Sequence, residues 1–266
     1  MIKKYHITIA LALCIISFIG CEREHSEKGQ SNVVIYFTTQ SLSASLLKMA
    51  ATEEEEAITK VILYAVDEED DIIQTHTIDN PSLNGIPLTI PTEVKWFYAI
   101  ANPSIELEEE TPENVADLLD LTESFTTAPL SPFMMSGIGE VSSISVIIPL
   151  VRSIARVDII GKNGFHIDSV KVIGTPNKGY VFKRESLLSL PASADTVSYA
   201  AVERTNSDTI TLYVAENIAS NPTKFIVSGE YENLQTCDTI LIKYEGYTVD
   251  IMRNTCYQLG VTPVSE

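Results

Sequence analysis

Basic residues are scarce in this sequence of 266 residues. Lysine and arginine together number 18 against 36 aspartates and glutamates, which gives a formal net charge of −18. A chain this acidic repels phosphate backbones, so we expect no nucleic-acid partner. The composition, 45% hydrophobic and 20% charged, is that of a globular protein with room for one large or two small domains.

Recognisable catalytic patterns are also lacking. The sequence contains no nucleophile elbow, phosphate-binding loop, dinucleotide fingerprint, HExxH or CxxC motif. Its acidic runs, Glu53–Glu56, Asp67–Asp71, and Glu106 with Glu108–Glu110, are expected to be solvated turns, because catalytic carboxyl pairs need two different environments. We therefore predict no enzymatic activity, cofactor or metal site. A hydrolase would need an acid pair or metal site that the sequence does not reveal.

The N-terminus has the pattern of an export signal. Lys3 and Lys4 precede Ile7–Ile19, an apolar run of 13 residues that is too short to span a bilayer. The run ends in Phe18-Ile19-Gly20-Cys21, which resembles a bacterial lipobox. We predict that residues 1–20 are a lipoprotein signal peptide, that Cys21 is lipidated and binds the outer membrane, and that residues 21–31 form a tether. The alternative is an ordinary secretory signal with a chance cysteine.

Two cysteines remain after Cys14 and Cys21 are assigned to the signal and the lipid. Cys237 and Cys256 both lie in a region of predicted strands. In an exported protein such a pair either forms a disulfide or stays as two buried thiols, and the sequence leaves both alternatives open.

The rest of the chain is a succession of short predicted strands separated by Asn-Gly, Asn-Pro and similar turns. Trp96, Tyr98 and Ile100 alternate on one strand and are predicted to face a core. One helix is predicted to begin at Thr111, with Pro112 as its first residue. A boundary near residues 149–152 divides the chain into predicted β-sandwich lobes, residues 32–150 and 151–266.

Six motifs, in this order, resemble those of the fimbrillin family, the lipoprotein subunits of Bacteroidales type V pili. They are the lipobox with its first strand (32–40), the strand Ile58–Asp67, Pro132-Phe133-Met134-Met135-Ser136-Gly137, the basic strand Leu150–Val157, Leu212–Asn217 and Ile251–Tyr257. The resemblance implies an all-β fold of two transthyretin-like β-sandwich lobes with one or two short helices. It also implies a non-enzymatic pilus subunit that serves cell adhesion.

The resemblance further implies assembly by β-strand exchange, in which other pilus subunits bind by β-augmentation. The exchangeable strand would comprise Val33, Val34, Ile35, Tyr36 and Phe37. Processing in the family follows a basic residue, and Lys48 is the only one in the linker 41–52. The motif residues Arg152, Arg156, Glu216, Asn217, Arg253 and Asn254 would hold strand register, with Arg–carboxylate pairs at the lobe junction.

Family pilins continue into a C-terminal donor strand, whereas this sequence runs only nine residues beyond Tyr257. We therefore expect a tip, capping, accessory or anchor subunit rather than a repeating shaft subunit. A host protein or glycan is a candidate ligand. The alternative is a surface glycan- or ligand-binding lipoprotein that does not polymerise.

Overall fold

The computed structural model describes residues 29–44, 51–82, 84–184, 188–203 and 206–262. This part of the chain contains nineteen strands and three short helices, joined by loops and turns. The prediction of an all-β fold with sandwich-like sheets is thereby confirmed. The strands of its first half are β1 (Gln30–Thr39), β2 (Ser43–Ala44), β3 (Lys60–Val66), β4 (Ile72–Asp79), β5 (Ile86–Pro91), β6 (Trp96–Ala101), β7 (Thr122–Ser124), β8 (Met135–Glu140) and β9 (Ser145–Arg152). Those of its second half are β10 (Ile154–Gly161), β11 (His166–Pro176), β12 (Lys178–Tyr180), β13 (Thr196–Val202), β14 (Thr209–Ala215), β15 (Lys224–Tyr231), β16 (Leu234–Leu241), β17 (Lys243–Tyr244), β18 (Tyr247–Thr248) and β19 (Thr255–Val261). The helices are α1 (Glu53–Glu56), α2 (Ile105–Glu109) and α3 (Val115–Asp120).

Seven strands form one sheet in the order β4-β3-β6-β8-β9-β1-β5. Strands β8 and β9 share only two residue pairs, Met135 with Arg152 and Ser136 with Val151. One core cluster contains residues from both sides of this junction, including Ile35 of β1 and Leu63 of β3. The sheet therefore folds over at β8–β9, and its two parts pack face to face as a sandwich.

Gly137 permits the close approach of β8 to β9. A Cβ atom at this position would lie 2.4 Å from the carbonyl oxygen of Pro149, so any other side chain would push the two strands apart. The neighbouring Ser136 hydroxyl donates to the carbonyl of Val181 at 2.7 Å. The last two residues of the Pro132–Gly137 motif, Ser136 and Gly137, therefore stabilise the packing of β8 against its neighbours.

The outer face of β3 and β6 is covered as well. Ile62 and Ile100 pack in a second cluster with Leu107 of α2, Leu118 of α3 and Phe182. Strand β3 is therefore buried on both faces, which explains its nearly continuous apolar sequence. Trp96, Tyr98 and Ile100 all belong to this cluster, as the alternation predicted.

Helix α3 begins later than predicted. Its N-cap is Asn114, whose side chain accepts from the backbone N–H of Asp117 at 3.0 Å. The prediction of a start at Thr111 and Pro112 was wrong because the preceding backbone pairs with the sheet: the N–H of Ile72 donates to the carbonyl of Glu113.

The acidic run Glu53–Glu56 forms a short helix and not the solvated turn that was predicted. It forms α1 with a capping box, in which the hydroxyl of Thr52 accepts from the N–H of Glu55 and the carboxylate of Glu55 accepts from the N–H of Thr52. Glu55 is only 1% exposed, so a solvated turn was the wrong prediction for this residue.

The second half of the chain forms two four-stranded sheets, β14-β10-β19-β2 and β13-β11-β15-β16, around a third core cluster. Strand β9 ends at Arg152 and β10, in a different sheet, begins at Ile154. Strand β2 comes from the first half of the sequence but pairs with β19. The lobe limits 32–150 and 151–266 stay a prediction. Among the described residues, no helix has the length and apolarity needed to cross a membrane.

Candidate functional site: the strand segment and its junction

Strand β1 lies inside the seven-stranded sheet. It pairs in parallel with β9, from Val34 opposite Ser145 to Thr39 opposite Leu150, and antiparallel with β5 on its other side. The predicted exchangeable strand therefore has a partner along both edges.

Alternate side chains of β1 enter the core. Val33, Ile35 and Phe37 are buried, whereas Val34 and Tyr36 are partly exposed on the opposite face. Removal of β1 would open a groove with two unpaired strand edges and a row of three apolar pockets. This geometry is the one that β-augmentation requires.

The chain continues from β1 into the other half of the molecule. The N–H of Gln40 donates to the carbonyl of Leu150 at 3.0 Å, and Leu42 is buried. Ser43 and Ala44 then form β2 in parallel with Thr255 and Cys256 of β19. We call residues 30–44 the strand segment, since this stretch pairs with both halves of the protein. The sequence predicted only its first part, because a two-residue strand has no periodicity.

Arg152, at the end of β9, contacts the backbone on either side of the linker that contains Lys48. Its Nη1 donates to the carbonyl of Gln40 at 2.9 Å, and its Nε donates to the carbonyl of Glu55 at 2.8 Å. Arg152 is 1% exposed, and burial lowers the pKa of its guanidinium. Within the described part of the chain, its Nη2 has no hydrogen-bond partner. A buried cation is thus stabilised by main-chain carbonyls.

Asn254 completes this arrangement. Its Oδ1 accepts from Nη1 of Arg152 at 2.8 Å, and its Nδ2 donates to the carbonyl of Ser41 at 3.1 Å. Its backbone N–H donates to the carbonyl of Ile154. The φ of Asn254 is 52°, in the left-handed region that asparagine tolerates better than most residues. Asparagine therefore satisfies both the backbone conformation and the contacts.

Arg253 and Glu216 form a buried ion pair. The Nε of Arg253 donates to Oε2 of Glu216 at 2.8 Å, and the backbone N–H of Arg253 donates to Oε1 at 2.9 Å. The guanidinium also donates to the carbonyls of Tyr180 and Val181. The pair thereby links the turn before β19 to the residues around the end of β12.

Arg156 is part of a separate cluster with Glu55. Its Nε donates to Oδ1 of Asp158 at 2.9 Å, and its Nη1 lies 3.5 Å from the carboxylate of Glu55. The hydroxyl of Tyr213 donates to Oε1 of Glu55 at 2.9 Å. Burial and the neighbouring Glu55 carboxylate raise the pKa of Tyr213. Sequence reasoning missed Glu55, since it sits in a run of four identical residues.

Asn217 serves a local turn. Its Nδ2 donates to the carbonyl of Asn221 at 2.8 Å and to the hydroxyl of Thr223 at 2.9 Å, while its Oδ1 accepts from the N–H of Ile218. Asn217 is also paired with Ile251 through an isolated β-bridge. It fixes the loop before β15 and does not contact the strand segment in the described hydrogen bonds.

Glu123 is a second carboxyl that the sequence did not single out. The hydroxyl of Ser153 donates to its Oε2 at 2.6 Å. Burial raises the pKa of Glu123 to about 7, against the opposing effects of the Ser153 hydrogen bond and the charge of Arg253. This carboxyl thus changes charge near neutral pH.

The two remaining cysteines are not bonded to each other. Cys237 is an exposed thiol on β16, whereas Cys256 is a buried thiol on β19, in a different sheet. The structure thus contradicts a Cys237–Cys256 disulfide. The thiol of Cys256 lies 3.6 Å from Oδ2 of Asp158, and burial raises the pKa of Cys256 to about 12.

Among the described residues, no group of three or more histidine, cysteine, aspartate or glutamate side chains is arranged to hold a metal ion. Cys21 and Lys48 lie outside the described residues. Lipidation and processing at these positions remain predictions.

The candidate site is therefore the strand segment, which lies inside an all-β scaffold and pairs with both halves of the protein. Buried polar residues surround the point where this segment passes from one half to the other.

No protein-family model matches the sequence, and no curated protein matches it. Solved structures with a similar fold do exist. The tip fimbrial protein Mfa3 of Porphyromonas gingivalis, with a C-terminal truncation, aligns with a TM-score of 0.60 at 12% identity over 89% of this chain and 96% of that one.

Two further solved structures are similar. A fimbrial assembly protein of Parabacteroides distasonis aligns with a TM-score of 0.55 at 15% identity, over 87% of this chain and 91% of that one. A candidate cell adhesion protein of Bacteroides eggerthii aligns with a TM-score of 0.57 at 16% identity, over 88% of this chain and 86% of that one. The chain shares the fold of these Bacteroidales proteins, and at the level of fold the resemblance seen in the sequence is confirmed.

Proposed function

We propose that this chain is a non-enzymatic fimbrial lipoprotein of the cell surface that accepts a β-strand from another subunit and serves adhesion. The observation that carries the proposal is the position of β1, an N-terminal strand in the interior of a sheet with three side chains in the core. The fold shared with fimbrial proteins supports the same role.

The position of Lys48 fits such an exchange. A cut after Lys48 separates the strand segment and the lipidated Cys21 from the rest of the chain, because both precede it in sequence. The strand segment would then be held by non-covalent contacts only. A donor strand from another subunit replaces the same backbone hydrogen bonds and fills the same pockets.

An uncut chain remains on the outer membrane through Cys21, whereas a cut chain is free to join a fibre. We propose a tip, capping, accessory or anchor position for this subunit. The similarity to a tip fimbrial protein supports an end position.

Deletion of the gene, followed by electron microscopy of the cells, tests the role. We expect fimbriae of altered number or length and reduced adhesion, and we expect antibody against the protein to label fimbrial ends or bases. Unchanged fimbriae, with antibody spread over the bare cell surface, would contradict the proposal.

A glycan-binding surface lipoprotein is the second candidate function. Tyr244 and Tyr247 lie opposite each other across a hairpin whose turn contains Glu245 and Gly246, and they are 58% and 79% exposed. Exposed aromatic rings offer flat apolar faces with a polar tip. Glycan-array binding that the double substitution of both tyrosines by alanine abolishes, together with retention of residues 32–40 in the mature protein, would favour this function.

A further inference from the structure

We infer that Arg152 and Asn254 form a clamp for backbone carbonyls that binds the residues following an exchanged β-strand. The inference rests on the proposed strand exchange and adds the residues that hold the incoming chain beyond the last apolar pocket. We call these two side chains the clamp.

The clamp binds two consecutive carbonyl groups of the strand segment. Nη1 of Arg152 donates to the oxygen of Gln40 at 2.9 Å, and Nδ2 of Asn254 donates to the oxygen of Ser41 at 3.1 Å. The side chains of the clamp also contact each other, at 2.8 Å. Because these contacts to the strand segment involve only main-chain oxygens, a strand of another sequence can supply them equally well.

The apolar pockets, and not the clamp, select the register of the strand. Side chains alternate between the two faces of a strand, so a shift by one residue would turn the residues of all three pockets towards solvent. Phe37 fills the last pocket, and the carbonyl of Gln40 enters the clamp three residues later. The clamp therefore adds binding beyond the last pocket that does not depend on the sequence of the strand.

The clamp stays in place when the strand leaves. Nε of Arg152 donates to the carbonyl of Glu55, which follows Lys48 in the sequence and remains with the body of the protein after a cut there. Glu55 is itself held by Arg156 and by the hydroxyl of Tyr213. The clamp is therefore preformed and does not depend on the strand for its position.

An empty clamp is unfavourable. Arg152 is a buried cation whose described acceptors are two main-chain carbonyls and the side-chain oxygen of Asn254, and loss of the Gln40 oxygen removes one of them. Leaving a buried charged donor without its partner costs more than the hydrogen bond itself contributes. This cost favours a filled groove over an empty one.

The test uses the soluble chain of residues 22–266, in which residues 45–50 are replaced by the recognition sequence of a specific protease. After cleavage, three labelled peptides compete for the groove: residues 30–44, residues 30–39, and residues 30–44 in which (E)-alkene isosteres replace the amide groups between Gln40 and Ser41 and between Ser41 and Leu42. The isosteres keep the length and every side chain of the peptide but remove the carbonyl oxygens of Gln40 and Ser41 that the clamp binds.

We expect the unmodified 30–44 peptide to bind at least tenfold more tightly than the peptide with the two isosteres. Arg152→Met and Asn254→Gly should each reduce this discrimination severalfold. Arg184→Met should leave it unchanged, because the described hydrogen bonds of Arg184 go to Leu119 and Asp120 and not to the clamp or the strand segment. If Arg152→Met folds poorly, Asn254→Gly still tests the clamp, because glycine adopts the left-handed backbone conformation of this position without strain.

The outcomes separate the clamp from the proposed function. A cleaved wild-type chain that takes up none of the peptides contradicts strand exchange and with it the clamp. Uptake of the 30–44 peptide, with equal discrimination in the wild type and in Asn254→Gly, overturns the clamp alone. Equal affinity of the wild type for the unmodified peptide and for the peptide with the isosteres also overturns it.

Discussion

The guanidinium of Arg253 and the carboxylate of Glu216, 37 residues apart in sequence, meet in a buried ion pair with an Nε–Oε2 distance of 2.8 Å. A second contact, from Nη2 to the same oxygen, measures 2.6 Å. The guanidinium of Arg253 also donates to the main-chain carbonyls of Tyr180 and Val181, so all three of its nitrogens have acceptors. The pair therefore joins three separate parts of the chain.

Arg253→Met should lower the free energy of unfolding by about 3–5 kcal/mol, because it leaves the carboxylate of Glu216 buried without its partner. Chemical denaturation and the melting temperature measure this directly. The double variant Glu216→Gln with Arg253→Met is the matched control and should recover part of the loss. An unchanged melting temperature for Arg253→Met would show that the pair has no structural role.

Asn254 offers a test that separates conformation from contacts. Asn254→Gly loses the side-chain hydrogen bonds but keeps the positive φ accessible, whereas Asn254→Ala loses the bonds and adds strain. We expect Asn254→Ala to be less stable than Asn254→Gly by about 1 kcal/mol in denaturant unfolding. Equal stability of the two variants would mean that the left-handed backbone at this position relaxes at no cost.

Glu123 should make stability depend on pH. Its pKa is about 7 in the folded protein, against an ordinary value of 4.5, so the folded state holds its proton over a range where the unfolded state has lost it. The stabilisation is complete below pH 4.5 and is lost as the pH rises through about 7, by on the order of 3 kcal/mol.

Comparison of the wild type with Glu123→Gln isolates this effect from that of the other carboxyl groups. We expect the unfolding free energy of the wild type to fall, relative to that of Glu123→Gln, between pH 4.5 and pH 7. A constant difference over that range would contradict the raised pKa of Glu123.

The two thiols should differ in reactivity. In the native chain of residues 22–266, we expect a thiol reagent to label Cys237 rapidly and Cys256 only after unfolding, because Cys237 is exposed and the buried Cys256 has a pKa of about 12. Intact mass before and after denaturation without reductant reports one label and then two. A chain that accepts no label even when unfolded would contain the disulfide that the structure contradicts.

Local patterns in the sequence predicted much of the fold. The succession of short apolar segments separated by turns predicted an all-β fold, and the alternation of Trp96, Tyr98 and Ile100 predicted the face of β6 that packs in a core cluster. The start of α3 was missed because pairing of Glu113 with Ile72 overrides the local preference of Thr111 and Pro112 for a helix start.

The contacts of the candidate site could not be derived from the sequence in the same way. The resemblance to a family singled out Arg152 and Asn254, but their partners are main-chain carbonyls that leave no trace in residue types. Glu55 was hidden because nothing local distinguishes it from Glu53, Glu54 and Glu56. Only the tertiary fold brings Arg156 and Tyr213 to one of these four.

Limited digestion of soluble residues 22–266 with a protease specific for lysine and arginine, followed by intact mass and native sizing, shows whether the chain accepts a strand. We expect one cut after Lys48, a body that keeps its fold, and replacement of the strand segment by an added labelled peptide of residues 30–44. Resistance at Lys48, or general degradation without uptake of the peptide, would contradict a strand-accepting subunit and would indicate an uncleaved surface protein.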